Sequence, residues 1–250
     1  MSGSTEQPAG GKRLAGKVIL VTGASRGIGR SLAVALGAEG AHLVLVARTV
    51  GGLEETDDLV QAAGGAATLV PLDLTQYEGI DGLGAQIFER WGRLDGLVVN
   101  HAMLGVMSPL AHIKPEVWET AFALNVTSNW RVLRACEPLL RQSEAGRAVF
   151  IGSAAAWKHR PYWGLYAATK AAQLNMALTW AAECEKTNIR VNVVDPGPMR
   201  TQMRATAMPG EDPDTLPHPD EMAPMVVDLR LPSCERHGEI AHFRKWAGLD

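Results

Sequence analysis

Short apolar runs alternate along this chain with longer stretches in which apolar residues recur every three to four positions. The runs fall at 18–21, 43–46, 68–72, 97–99, 148–151, 191–194 and 240–243, and each reads as a strand. The stretches between them, at 28–39, 53–63, 80–91, 116–140, 162–185 and 219–229, read as helices. Inside the runs the apolar residues are consecutive, which suits strands covered on both faces. Strands alternating with helices build βαβ units with right-handed crossovers and a parallel sheet. The pattern therefore predicts an α/β protein, a doubly wound parallel sheet of about seven strands with helices on both faces. Glu39-Gly40, Gly64-Gly65 and Gly92 mark helix ends. No repeat or linker divides the chain, so residues 14–250 are expected to form one domain behind a loose polar tail, 1–13. One segment, 199–219, loses the periodicity and is rich in proline, methionine and acid. It reads as a loop-rich lid over a substrate.

In such sheets ligands bind beyond the carboxyl ends of the strands. Residues with chemical potential fall there in order. Thr22-Gly23-Ala24-Ser25-Arg26-Gly27-Ile28-Gly29 follows the first strand, Arg48-Thr49 the second and Asp73-Leu74 the third. Asn100 follows the fourth, Ser153 the fifth and Pro196-Gly197 the sixth. A strand, a glycine loop and then a helix is the context of a Rossmann-type dinucleotide site. Glycines allow close approach to a pyrophosphate, and the helix N-terminus offers unpaired N–H groups to it. The spacing is G-x-x-x-G-x-G, which differs from the G-x-G-x-x-G of two-domain dehydrogenases.

Tyr166 and Lys170 stand at i and i+4 on one predicted helix, with Ser153 thirteen residues before the tyrosine. A free phenol, with a pKa of about 10, is a poor acid–base at neutral pH. A neighbouring ammonium is expected to lower that value. A serine hydroxyl beside the phenol can hold a carbonyl or alcohol oxygen while hydride moves at its carbon.

From about residue 14 to residue 243 the chain resembles the short-chain dehydrogenases/reductases in their compact single-domain branch. The likeness rests on the glycine loop, Asn125, Ser153, Tyr166 with Lys170, and Pro196-Gly197 followed by Thr201. Within the family it looks most like the bacterial YciK-type, 3-oxoacyl-ACP-reductase-like members, through 163–166, 199–205 and 208–213. The resemblance implies a catalytic group of Asn125, Ser153, Tyr166 and Lys170. Ser153 orients the substrate oxygen, Tyr166 moves the proton, and Lys170 holds the nicotinamide ribose and lowers the tyrosine pKa. Asn125 either holds a relay water or makes a buried contact between helices. Cofactor contacts carry over to Gly23, Ser25, Arg26, Gly27, Ile28, Gly29, Arg48, Thr49, Asp73, Leu74, Asn100, His101, Ala102, Pro196, Gly197, Met199 and Thr201, with Tyr166 and Lys170 serving both ends.

Two features refine the cofactor. No acid follows the second strand, where an NAD site usually carries one. Arg26 and Arg48 are placed to clamp a 2′-phosphate, unless they are ordinary surface arginines. NADP(H) is therefore expected over NAD(H). Asp73 matches an adenine-contacting acid or a helix cap. At the fourth strand the family's Asn-Asn-Ala-Gly becomes Val99-Asn100-His101-Ala102. Ala102 thus places a methyl where glycine would meet the ligand. His101 reads either as a contact or as a satisfied local side chain. Met103, Trp157, Trp163 and Met203 are candidate substrate-wall residues, or packing for a partner subunit.

Composition narrows the rest. A net charge of −3 argues against nucleic acid or an anionic membrane as partner. Three scattered cysteines suit reduced thiols in a cytoplasm, and no histidine cluster has metal-ligand spacing. The expectation is a cytoplasmic homodimer or homotetramer acting on a small carbonyl or alcohol. The rival readings are an NAD-linked alcohol dehydrogenase and a non-catalytic cofactor-binding regulator or scaffold, to which only Ala102 points.

Overall fold

The computed structural model describes residues 11–249, so residues 1–10 of the expected tail lie outside the described residues. Seven parallel strands form one sheet in the order β3-β2-β1-β4-β5-β6-β7. They are β1 (Val18–Thr22), β2 (His42–Ala47), β3 (Ala66–Pro71), β4 (Gly96–Val99), β5 (Arg147–Ile151), β6 (Arg190–Asp195) and β7 (Ile240–His242). Leu20 on β1 pairs with Val44 on β2 and with Leu97 on β4. The strand order reverses at β1, which opens the crevice where doubly wound sheets bind ligands.

The consecutive apolar residues of β1 serve two cores, because successive side chains leave a strand on opposite faces. Ile19 and Val21 pack with Leu32 and Leu36 of α1 (Gly27–Ala38), Leu53 and Val60 of α2 (Val50–Ala62), and Met222 and Val226 of a later helix (Pro219–Asp228). Val18 and Leu20 pack on the other side. There they meet Ile80 and Ile87 of α3 (Tyr77–Trp91), and Val132 and Trp180 of two later helices.

The expected helix at 116–140 is broken. It divides into α4 (Pro115–Phe122), one wide π-turn at Ala123–Thr127 and α5 (Ser128–Arg141). Such bulges are frequent at functional sites, and Asn125 lies in this one. The helix expected at 162–185 is α6 (Gly164–Cys184). Its start is delayed because Tyr162 takes a left-handed backbone, φ 71°, which a helix cannot include. The segment 199–219 holds α7 (Gln202–Ala207) and one short turn, Pro213–Thr215, before α8 (Pro219–Asp228); α9 (Phe243–Trp246) follows β7. Two ion pairs brace that segment, a fork from Arg204 to Glu211 at 2.5 Å and Arg200 to Asp214 at 3.1 Å.

Arg13, expected in the loose tail, instead bridges Glu39 at 2.6 Å and Asp228 at 2.9 Å. Among the described residues no helix is long and apolar enough to cross a membrane. Cys136 and Cys184 are buried, and burial pushes the Cys136 thiol up to about 12, which suits an inert core thiol.

Candidate active site

The glycine loop is held by its carbonyls. Asn100 Nδ2 donates to Thr22 O and Gly23 O, at 3.1 Å each. Thr56 Oγ1 on α2 donates to Ala24 O at 3.0 Å, and Arg30 Nη2 on α1 donates to Ser25 O at 2.7 Å. All three glycines are required here. Gly23 and Gly27 have φ 65° and 54°, and a Cβ on Gly29 would lie 2.2 Å from Gly23 O. The first turn of α1 has neither a side-chain cap from Arg26 nor an acid. Its unpaired N–H groups and positive dipole end are left for an anion. The loop therefore fits the pyrophosphate of a dinucleotide.

The catalytic candidates converge at the ends of β5 and β6. Ser153 follows β5, and its hydroxyl is near enough to the phenol of Tyr166 on α6 to lower the phenol's pKa. Both Tyr166 and Lys170 are buried. Lys170 Nζ donates to Ile151 O at 2.8 Å and to Gln173 Oε1 at 2.9 Å, and lies 5.8 Å from the Tyr166 ring centre. Burial pushes the ammonium down to about 7, since the charged form is poorly solvated there. Burial likewise pushes the phenol up to about 12, with the Ser153 hydroxyl lowering it and the charge of Asp195 raising it. The depressed tyrosine expected from the sequence is thus not found in the chain alone. Lys170 spends its protons on Ile151 and Gln173, and burial outweighs its field. A phenol held protonated suits a proton donor.

Asn125 is a buried brace. Its Oδ1 accepts from Met103 N at 2.8 Å, and its Nδ2 donates to Met103 O at 2.8 Å and Thr169 Oγ1 at 3.0 Å. Asn129 Nδ2 donates to the Asn125 carbonyl. The bond to Thr169 is a contact between helices, one of the two readings of Asn125.

His101, carried over as a cofactor contact, has a ring spent locally. Nδ1 lies 2.8 Å from Thr22 Oγ1 and Nε2 lies 2.7 Å from Ser128 Oγ. Ser128 gives its own proton to Leu124 O, so Nε2 must donate and Nδ1 accept. Burial, then the charge of Lys170, hold this imidazole down to about 3.

The remaining candidates line the same edge. Thr201 caps α7, accepting from Arg204 N at 3.2 Å, and its methyl lies 3.6 Å from where a Gly27 Cβ would stand. Arg26 and Arg48 are exposed, with Arg48 3.8 Å from Asp73. Asp73 Oδ1 accepts from Thr75 N at 2.9 Å, closing a turn ahead of α3, whose N-cap is Gln76, so the helix cap that was one of its two readings is not formed. The Trp163 ring sits edge-on 6.1 Å from Tyr166, and Trp157 sits 5.9 Å from His242. Met199 is buried, whereas Met103 and Met203 are half-buried. The sequence reading missed Thr56, Arg30, Gln173 and Asp195. Asp195 had a signal, an acid closing an apolar strand immediately before Pro196-Gly197.

Residues 17–212 match the short chain dehydrogenase family model. The chain belongs to the short-chain dehydrogenase/reductase family. It is an NAD(P)-dependent oxidoreductase of that family. It is 35% identical to the oxidoreductase YciK of Escherichia coli (strain K12) over 216 residues, 85% of each chain. A short chain dehydrogenase structure from Pseudomonas syringae superposes with TM-score 0.90 and 35% identity, covering 96% of this chain and 100% of that one. One from Shigella flexneri 2a, complexed with NADP, has TM-score 0.87 and 33% identity, covering 93% of this chain and 99% of that one.

Proposed function

We propose that this protein interconverts a ketone and a secondary alcohol with NADP(H). The observation that carries the reading is the Ser153 hydroxyl beside the buried Tyr166 phenol, one helical turn from a buried Lys170. Ser153 holds the substrate oxygen, and Tyr166 gives that oxygen its proton as reduction proceeds, or takes it back in oxidation. The bound nicotinamide supplies or accepts the hydride. Lys170 meets the nicotinamide ribose, turning from Ile151 O and Gln173. Asn125 acts at a distance, by fixing the Met103 backbone and Thr169. Trp157, Trp163, Met103 and Met203 form the wall of a partly apolar substrate pocket.

Support for NADP(H) comes from Arg26, Arg48 and the absence of an acid after β2, and from the NADP carried by the Shigella neighbour. Arg48 lies 3.8 Å from Asp73 and is exposed, so it can turn to a 2′-phosphate without a strong bond to break. A screen of carbonyl compounds with NADPH, followed by loss of nicotinamide absorbance, tests the reading. Turnover of at least one ketone or aldehyde is expected, and NADPH binding without turnover of any would leave a non-catalytic cofactor binder.

A further inference from the structure

We infer that Asp195 is a positioning residue whose single carboxylate sets the Ser153 turn, braces the Pro196-Gly197 turn and holds Tyr166 in its proton-donating form. The inference rests on the reading of Tyr166 as the proton donor. Asp195 is the last residue of β6 and is buried. Its Oδ1 accepts from Ala154 N at 3.0 Å and from Gly197 N at 3.2 Å. Ala154 directly follows Ser153 and opens the turn in which Ser153 Oγ accepts from Ala155 N at 3.2 Å. One oxygen therefore ties the chain that presents the substrate-holding hydroxyl to the chain at the nicotinamide end. The other oxygen, Oδ2, lies 3.3 Å from His242 Nδ1 at the end of β7.

The hydrogen bonds alone do not require an acid. An asparagine oxygen would accept from both N–H groups equally well. What the carboxylate adds is a negative charge near the phenol, and a nearby like charge opposes formation of a phenolate. The charged and titratable groups around Tyr166 are few. Lys170 lies on its own helix, Asp195 comes from β6, and His242 from β7 sits behind Asp195. His101, beyond β4, interacts with Lys170 and is held neutral. Burial is the main force against the phenolate, and the Asp195 charge adds to it, which keeps the proton available for delivery.

Asp195→Asn keeps one oxygen to accept from Ala154 N and Gly197 N, removes the charge and turns an amide toward His242, while Asp195→Ala removes charge and acceptor alike. Tyrosine ionisation is read by ultraviolet titration from about pH 8 up to the value of about 12 to which the Tyr166 phenol is pushed. Tyr77, Tyr162 and Tyr166 are the tyrosines of the chain, so subtracting the Tyr166→Phe spectrum isolates Tyr166. Phenolate is expected to appear at lower pH in Asp195→Asn than in the unmodified protein. Asp195→Ala is expected to slow carbonyl reduction by at least about tenfold, and Asp195→Asn at pH 7 by less than about threefold. Superimposable titrations of the Asp195→Asn and unmodified proteins would overturn the inference, as would unchanged turnover in Asp195→Ala. Failure of the proposed reaction itself looks different. No carbonyl would be turned over by the unmodified protein, and the titration would still read the Asp195 charge.

Discussion

Lys170 stands one turn from Tyr166 on α6, yet its ammonium is bonded to Ile151 O at 2.8 Å and Gln173 Oε1 at 2.9 Å. The two residues are therefore in different states from those their spacing suggests. The tyrosine is a strongly held acid, and the lysine a weakened cation.

The tyrosine carries the first prediction. Tyr166→Phe keeps the ring and deletes the hydroxyl. NADPH affinity should stay within about twofold, because the glycine loop and Lys170 are untouched, whereas turnover should fall by about 10²–10⁴. Steady-state kinetics with equilibrium fluorescence titration of NADPH separates the two. The phenol is raised, not lowered, so its acid form persists across neutral pH. At saturating NADPH, where discharge of Lys170 near 7 does not limit cofactor binding, reduction should hold through about pH 9 and decline only past the free phenol value of about 10. A fall near about pH 8 under that saturation would place the donor elsewhere.

Gln173 supplies the second. Its Oε1 holds the Lys170 ammonium, while its Nε2 is buried without a hydrogen-bond partner. Gln173→Leu should remove that acceptor and lower the lysine further, because burial would go less compensated. Cofactor affinity at pH 7 should fall by about three- to tenfold and recover in part at lower pH, where the lysine is recharged. Isothermal titration with NADPH at two pH values checks this.

Cofactor choice is the third. NADPH should bind at least about tenfold more tightly than NADH, since one charge-assisted contact is worth roughly 1.5–3 kcal/mol. Arg48→Asp should cost NADPH affinity and spare NADH. Equal affinities in the unmodified protein would count against the 2′-phosphate clamp.

The buried imidazole gives a fourth. His101 is lowered in the folded chain from 6.5 to about 3. A group with a depressed folded value contributes stability that is complete above its unfolded pKa and is lost as pH falls toward the folded one. Stability should therefore decline between about pH 6.5 and pH 3 at up to about 1.4 kcal/mol per pH unit from this group. His101→Asn cannot take up the proton. Urea denaturation should show a shallower acid decline for that variant, and parallel curves would refute the assignment.

Assembly is the last. Trp130 on α5 is 46% exposed and borders a hollow with Leu133, Pro138 and Glu183. With the family resemblance, this face suits a symmetric dimer or tetramer. Light scattering at micromolar concentration should give at least a dimer, and Trp130→Lys should shift it toward monomer.

Much of this was legible in the chain itself. The central strands announced themselves, because a doubly covered strand is apolar at nearly every position, as β1 is from Val18 to Val21. The order of residues at the sheet edge followed from those strands. The break at Asn125 was not legible, because Ala123-Leu124-Asn125-Val126 is as compatible with a regular helix as with a wide turn. Nor were the states of Tyr166 and Lys170. Spacing tells which residues are neighbours, but burial decides which field prevails, and burial is a property of the packed sheet. His101 shows the same limit. Its two partners, Thr22 and Ser128, lie 79 and 27 residues away.

The carbonyls of Thr22, Gly23, Ala24 and Ser25 are all gripped from behind, by Asn100, Thr56 and Arg30. A loop with its outward shape already set loses little freedom when a ligand arrives, so its affinity is governed by how well it is held beforehand. Part of that hold is remote. Thr56 belongs to α2, and Arg30 is itself steadied by Glu55 on the same helix at 2.6 Å. The stiffness of the phosphate cradle is thus a property of the α1–α2 pair, and substitutions there can loosen binding without ever touching what is bound.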